Sequence, residues 1–103
     1  MKQMIADATA STTSDPFQIR DVFGDVPDAR KDATFTDANI MVTGDEVFST
    51  FLDIGPTEAG PFEQIAQIGP TPRVGLVKMT ARAWYQIRIV DGGQTGTVSV
   101  WAG

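Results

Sequence analysis

The chain has no cysteine and no histidine among its 103 residues. Without cysteine there is no disulfide framework, no thiolate metal site and no cysteine nucleophile, and the redox compartment stays open. Without histidine the commonest general base and the commonest transition-metal ligand are gone. A Ser-His-Asp triad is therefore excluded, and so are the usual zinc sites. Positive charge is also scarce, with eight Lys and Arg against thirteen Asp and Glu and a net charge of −5. A polyphosphate would be repelled at long range, and the cations are scattered rather than drawn into a stripe, so nucleic acid is not an expected partner. No apolar run approaches the roughly 20 residues that span a bilayer, so a membrane is not expected either. The opening residues 1–7 lack the apolar stretch of a secretory signal, and none is expected.

What the chain does have is alternation. Tyr85, Ile87 and Ile89 alternate with Gln86 and Arg88, and Val98 and Val100 alternate with Thr97 and Ser99. A period of two is the signature of strands with one buried and one wet face. The Asp91-Gly92-Gly93-Gln94-Thr95-Gly96 break between them is a hairpin signal. Earlier runs at residues 17–23, 40–42, 47–54, 62–68 and 74–79 also read as short strands, punctuated by Gly-Pro and Thr-Gly turns. Phe62, Ile65 and Ile68 would suit a helix, but seven residues between Gly-Pro pairs fit a strand better. Strands at this spacing without a long helix predict one all-β domain, an antiparallel β-sandwich of immunoglobulin-like or jelly-roll-like type. A chain of this length buries roughly 65% of its unfolded surface, enough for a core without staples.

Residues 1–15 are polar and small, with Ile5 the strongest apolar anchor. They predict an extended N-terminal arm, either loose or ordered only against a neighbouring subunit, ahead of a sandwich over residues 16–103. Residues 24–39 read as a long acidic connection with a possible helical turn at 28–31. Asp25, Asp28, Asp32 and Asp37 raise the question of calcium, but no EF-hand spacing is present and Arg30 and Lys31 lie among them. A solvated acidic loop is the expectation, and no metal or cofactor is expected.

Met79 lies six residues ahead of Tyr85, which opens the Ile-rich alternation. That spacing resembles the tyrosine corner of immunoglobulin-like and fibronectin-like domains, whose hydroxyl bonds back to the backbone where the chain changes sheets. Met79 and Ala81 stand where that motif has Leu and Pro or Gly.

For function, pairing Ile89 with Val98 and Ile87 with Val100 across the expected hairpin brings Trp101 beside Gln86, with Trp84 and Arg88 as diagonal neighbours. An exposed Trp-Arg cluster of this kind anchors protein interfaces. The face could also be covered by the N-terminal arm, or its rings could form a platform for a sugar. Ile5, Trp84, Arg88 and Trp101 are accordingly the candidate partner-binding residues. Carboxylate pairs such as those of glycoside hydrolysis are the remaining catalytic option, but nothing in the sequence sets Asp53, Glu58 or Glu63 at a working separation. Gly92 to Gly96 is not a phosphate loop, since no Lys-Ser/Thr follows. No catalytic residue is assigned.

The C-terminal pattern, with Trp84-Tyr85-Gln86-Ile87-Arg88-Ile89-Val90, then Asp91-Gly92-Gly93, then Thr95-Gly96-Thr97-Val98-Ser99-Val100-Trp101-Ala102-Gly103, is similar in style to small β-sandwich proteins of tailed-phage virions. These are capsid decoration (cement) proteins and head- or tail-fibre domains. The resemblance covers residues 47–103 and no diagnostic motif. It implies a non-enzymatic structural protein on the capsid exterior, bound to the major capsid protein or other virion proteins, as a trimer or other homo-oligomer. A carbohydrate-binding module of a phage fibre or tail is the competing reading, and a cellular adhesion or assembly domain a more distant one.

Overall fold

A computed structural model of the protein describes residues 1–23, 35–44, 48–70, 73–90 and 96–103. Eight strands and one helical turn follow in order: β1 Lys2–Ala8, β2 Thr12–Thr13, α1 Ile19–Phe23, β3 Phe35–Gly44, β4 Ser49–Gly55, β5 Glu63–Gly69, β6 Val74–Thr80, β7 Trp84–Val90 and β8 Val98–Ala102. They form two four-stranded antiparallel sheets, β1-β8-β3-β6 (sheet A) and β2-β7-β4-β5 (sheet B). The pairs β1–β8, β2–β7, β3–β6 and β4–β5 are those of one long ribbon folded at the β4–β5 hairpin. Rolling that ribbon adds the β3–β8 and β4–β7 seams. This is the jelly-roll arrangement of a β-sandwich.

Inward residues of both sheets meet in one core. Sheet A contributes Ile5, Ala38, Ile40, Val42, Met79, Val98, Val100 and Ala102, and sheet B contributes Leu52, Ile68, Tyr85, Ile87 and Ile89. Phe17, Ile19 and Val22 close one side. The alternation at Tyr85-Ile87-Ile89 and at Val98-Val100 does mark inward faces, as its period requires.

The two strands are not a hairpin, however. β7 lies between β2 and β4 in sheet B, while β8 lies between β1 and β3 in sheet A. The two strands thus belong to different sheets, and the expected pairing of Ile89 with Val98 is replaced by Ile89 with Thr50 and Val98 with Gly44. Both strands need partners on each edge to bury their inward rows, and a two-stranded ribbon supplies only one.

The N-terminal residues are extended, but their contacts are with their own domain. β1 forms the edge of sheet A against β8, and β2 the edge of sheet B against β7. The strand expected over residues 17–23 is also different. Phe17 makes a single bridge to Tyr85, and Ile19–Phe23 is a helical turn. The Asp21 carboxylate accepts the Gln18 N–H at 2.8 Å, a carboxylate closing the first turn, and Ile19 and Val22 then share its buried side. β3 reaches back to Phe35, shortening the expected connection, because Ala38 and Ile40 face inward while Asp37 and Asn39 face out. β5 is a strand, as the Gly-Pro boundaries imply. The possible turn at 28–31, the acids Asp25, Asp28 and Asp32, and the glycines at 92 and 93 lie outside the described residues.

The tyrosine-corner geometry is present. The Tyr85 hydroxyl accepts the Thr80 backbone N–H at 2.8 Å across the turn where β6 of sheet A passes into β7 of sheet B. The hydroxyl is held in the phenol form, its pKa raised by burial against the smaller opposing pull of the Thr80 hydrogen bond. Tyr85→Phe leaves that N–H without its acceptor, and the expected cost is about 1–2 kcal/mol in urea unfolding. Thr50 presents the converse case. Its Oγ1 is buried with no hydrogen-bond partner among the described residues. Thr50→Val removes the stranded hydroxyl at similar size, so a gain of about 1 kcal/mol is expected from the same measurement.

Candidate functional site

Each sheet turns one face to solvent, and the strand registers place the outward residues in rows. On sheet A, Gln3, Trp101, Met41 and Val74 stand side by side across β1, β8, β3 and β6. Leu76, opposite Asn39, is the next outward residue along β6. Val74 is 51% and Leu76 68% exposed, high values for large aliphatic residues on an edge strand. The Trp101 indole Nε1–H donates to Thr43 Oγ1 at 3.0 Å, which holds the ring on the sheet beside Met41. This face is therefore an apolar strip, with Asp37 and Lys78 paired at its far end.

The outer face of sheet B has different chemistry. Inside an end row of Ser49 and the exposed Val90, its first full row runs Gln67, Phe51, Arg88 and Thr13 across β5, β4, β7 and β2. The second is Gln64, Asp53 and Gln86. The third is Gly55 and Trp84, with the Phe62 ring lying over Gly55 so closely that a Cβ there would stand 3.0 Å from the ring. Arg88 binds Asp53 through Nε at 3.1 Å and Nη2 at 3.2 Å, and Nη2 also reaches Gln64 Oε1 at 3.3 Å. Gln86 Nε2 donates to Asp53 Oδ2 at 2.9 Å. The Arg88 guanidinium carbon sits 4.7 Å from the centre of the Phe51 ring, a cation–π contact that fixes the plane of the fork.

Asp53 is buried although it lies on the outward face, because these side chains cover it. Burial pushes its pKa upward, but the Arg88 and Gln86 hydrogen bonds and the Arg88 charge outweigh that and hold it below the usual aspartate value. Three hydrogen bonds occupy this carboxylate, which leaves it poorly placed as a nucleophile or general base. Glu58 is exposed beyond the end of β4. Glu63 lines an open cleft of about 780 Å³ at that end of the sandwich, with Ile54, Pro61, Phe62, Arg82 and Ala83.

The four candidate residues are thus not one cluster. Trp84 and Arg88 lie on sheet B and Trp101 on sheet A, on opposite sides of the core. The expected Trp84–Arg88–Trp101 patch rested on the hairpin pairing and is dissolved with it. Ile5 is 6% exposed and faces Val100, so it is a core residue rather than an anchor for a partner. Residues passed over in the sequence are Val74, Leu76 and Met41 on one face and Phe51, Gln64 and Phe62 on the other. The adjacent apolar residues Leu76 and Val77 were a usable signal, since a strand must send one of two neighbours outward. Comparison of the chain with protein-family models, with curated proteins and with solved structures finds no match in any of the three.

The Asp53–Arg88 pair makes stability depend on acid with a predictable sign. A carboxylate whose folded pKa is lowered contributes stability above the unfolded value of about 3.9, lost as pH falls through the folded value. Arg88→Met removes both Arg88 contributions and leaves burial, the largest single influence, opposed by the Gln86 hydrogen bond alone. The folded pKa of Asp53 then rises, and the stability that its ionisation contributes at neutral pH shrinks. Urea unfolding of both proteins between pH 3 and pH 7 should give a stability deficit for Arg88→Met that widens toward pH 7, to about 2 kcal/mol. A deficit constant with pH would mean that Arg88 acts through packing on Phe51 alone.

Proposed function

We propose that this chain is a non-enzymatic structural protein of a phage virion, a capsid decoration or cement protein. It sits on the capsid exterior and binds the major capsid protein through the outer face of sheet A. The observation that carries this reading is the apolar strip of Trp101, Met41, Val74 and Leu76. Contiguous exposed apolar surface on a small domain marks a contact with another macromolecule. The rest of the support is more general. The C-terminal half resembles tailed-phage virion proteins in style, and jelly rolls are an architecture of viral capsid and lectin domains. Fold alone does not set function, so the strip and not the architecture bears the weight.

β6 is an edge strand, and its unpaired backbone groups lie beside Val74 and Leu76. A partner can therefore add main-chain hydrogen bonds to side-chain burial, as strand addition does elsewhere. A symmetric homo-oligomer, most simply a trimer, suits a protein repeated over a capsid surface. The N-terminal strands do not act as a detachable tether in this scheme. Removing residues 1–15 would strip an edge from each sheet and expose Val98 and Val100, so that truncation tests folding and not attachment.

The informative substitutions are Leu76→Ser and Val74→Thr, both on exposed outward positions that the core does not use. Co-sedimentation with capsids of the phage that carries the chain should fall about tenfold or more in the double variant, since each aliphatic group contributes about 1 kcal/mol when covered. Circular dichroism and the urea midpoint should stay close to those of the parent. Undiminished capsid binding would remove sheet A as the docking face.

A further inference from the structure

The outer face of sheet B carries a second, independent site. We propose that it binds a neutral saccharide, with Trp84, Gln64, Gln67, Gln86 and Arg88 as the contacting residues.

Three observations point to this ligand class. The first is electrical. The chain carries −5 overall, yet the charges in the three rows of this face are Asp53 and Arg88, which neutralise each other. A cationic or anionic ligand finds no net charge to meet, whereas a neutral polar one loses nothing by it.

The second is the inventory of unused hydrogen-bonding atoms. Gln64 spends Oε1 on Arg88, Gln86 spends Nε2 on Asp53, and Gln67 spends Nε2 on the Gly69 carbonyl. Among the described residues, the Gln64 amide Nε2, the Gln86 Oε1, the Gln67 Oε1 and the Arg88 Nη1 have no partner. Donors and acceptors therefore alternate over the face. A hydroxyl is donor and acceptor on a single atom, so a polyhydroxylated ring can answer both kinds of atom at every position, while a simple ion answers one. Neighbouring strands stand about 4.8 Å apart and alternate residues on one strand about 6.6 Å apart, a grid that can meet hydroxyls on successive sugar rings.

The third is rigidity. The guanidinium is clamped from below by the Phe51 ring and from the side by Asp53, so the polar atoms are already placed before a ligand arrives. Prior placement lowers the entropy cost of binding, which is what weakly held surface ligands most need. Trp84, half-buried at the third row and adjacent to the Gln86 row, supplies a flat apolar surface for the C–H face of a sugar ring.

The test uses the whole chain carrying Trp101→Phe, which leaves Trp84 as the sole tryptophan. Its emission is followed on titration with maltohexaose, cellohexaose, laminarihexaose and chitohexaose, with a heparin hexasaccharide as the charged control. At least one neutral hexasaccharide should shift the emission with a Kd of about 1 mM or tighter. The affinity should be unchanged between low and high salt, because no ion pair forms. Gln64→Ala with Gln67→Ala, both exposed and outside the Asp53 pocket floor, should weaken binding about tenfold while leaving the urea midpoint in place. Absence of any response to the neutral set overturns the proposal. So does binding confined to the heparin fragment, or binding that the double variant does not weaken. Capture of a protein through this face without a saccharide response overturns it equally.

Discussion

The Tyr85 hydroxyl, accepting the Thr80 N–H at 2.8 Å, fixes the corner where the chain leaves one sheet for the other. The same residue exchanges two backbone hydrogen bonds of 2.8 Å with Phe17, and its ring centre lies 6.1 Å from the Phe17 ring. One buried side chain thus ties the β6–β7 crossing to the segment that follows β2. Everything downstream depends on the crossing. Once β7 is committed to sheet B, β8 must return to sheet A to complete the ribbon, and their outward residues face away from each other. The separation of Trp84 from Trp101 is a consequence of this corner, not of any property of the tryptophans.

The same logic explains what could be read in the amino-acid sequence. A period of two states which residues face inward, and Tyr85, Ile87, Ile89, Val98 and Val100 are all buried as that period demands. It carries no information about which strand lies alongside. The glycine-rich stretch at 92–96 is equally compatible with a tight turn and with a crossing between sheets, since glycine relaxes the backbone in either case. Proximity in sequence favours the hairpin, and the register that followed from it placed three side chains in one patch. The faces were legible while the neighbours were not, and a functional surface is made of neighbours.

Where the periodicity itself breaks, the strands were harder to see. β1 buries Ile5 and Ala8, three residues apart, because irregular pairing sets them against Val100 and Val98, which are two apart. Asp7 takes a positive φ of 47° in that stretch and gives its N–H to Ser99 Oγ. A bulge of this kind converts a strand into a pattern that resembles a polar tail. Residues 17–23 err in the opposite direction. Phe17 and Ile19 alternate like a strand, but the Asp21 carboxylate caps a turn that places Val22 beside Ile19. Local capping chemistry outweighs two matches to a period.

The two outer faces differ in kind, and the difference follows from how each handles desolvation. Sheet A leaves aliphatic groups in water at Val74 and Leu76, a state improved by any partner that covers them. Sheet B has already satisfied its one buried charge through Arg88 and Gln86, so a partner seated on that cluster must replace hydration of amides, with the exposed Val90 and Ile65 at its margins. A surface of the first kind favours extensive, water-excluding contact with a protein. A surface of the second kind favours a ligand whose own groups exchange hydrogen bonds one for one. Because the core lies between them, occupying sheet A leaves sheet B facing outward, and neither reading requires the other to be correct. A domain attached by its apolar sheet would present its rigid polar sheet to whatever the assembly next encounters.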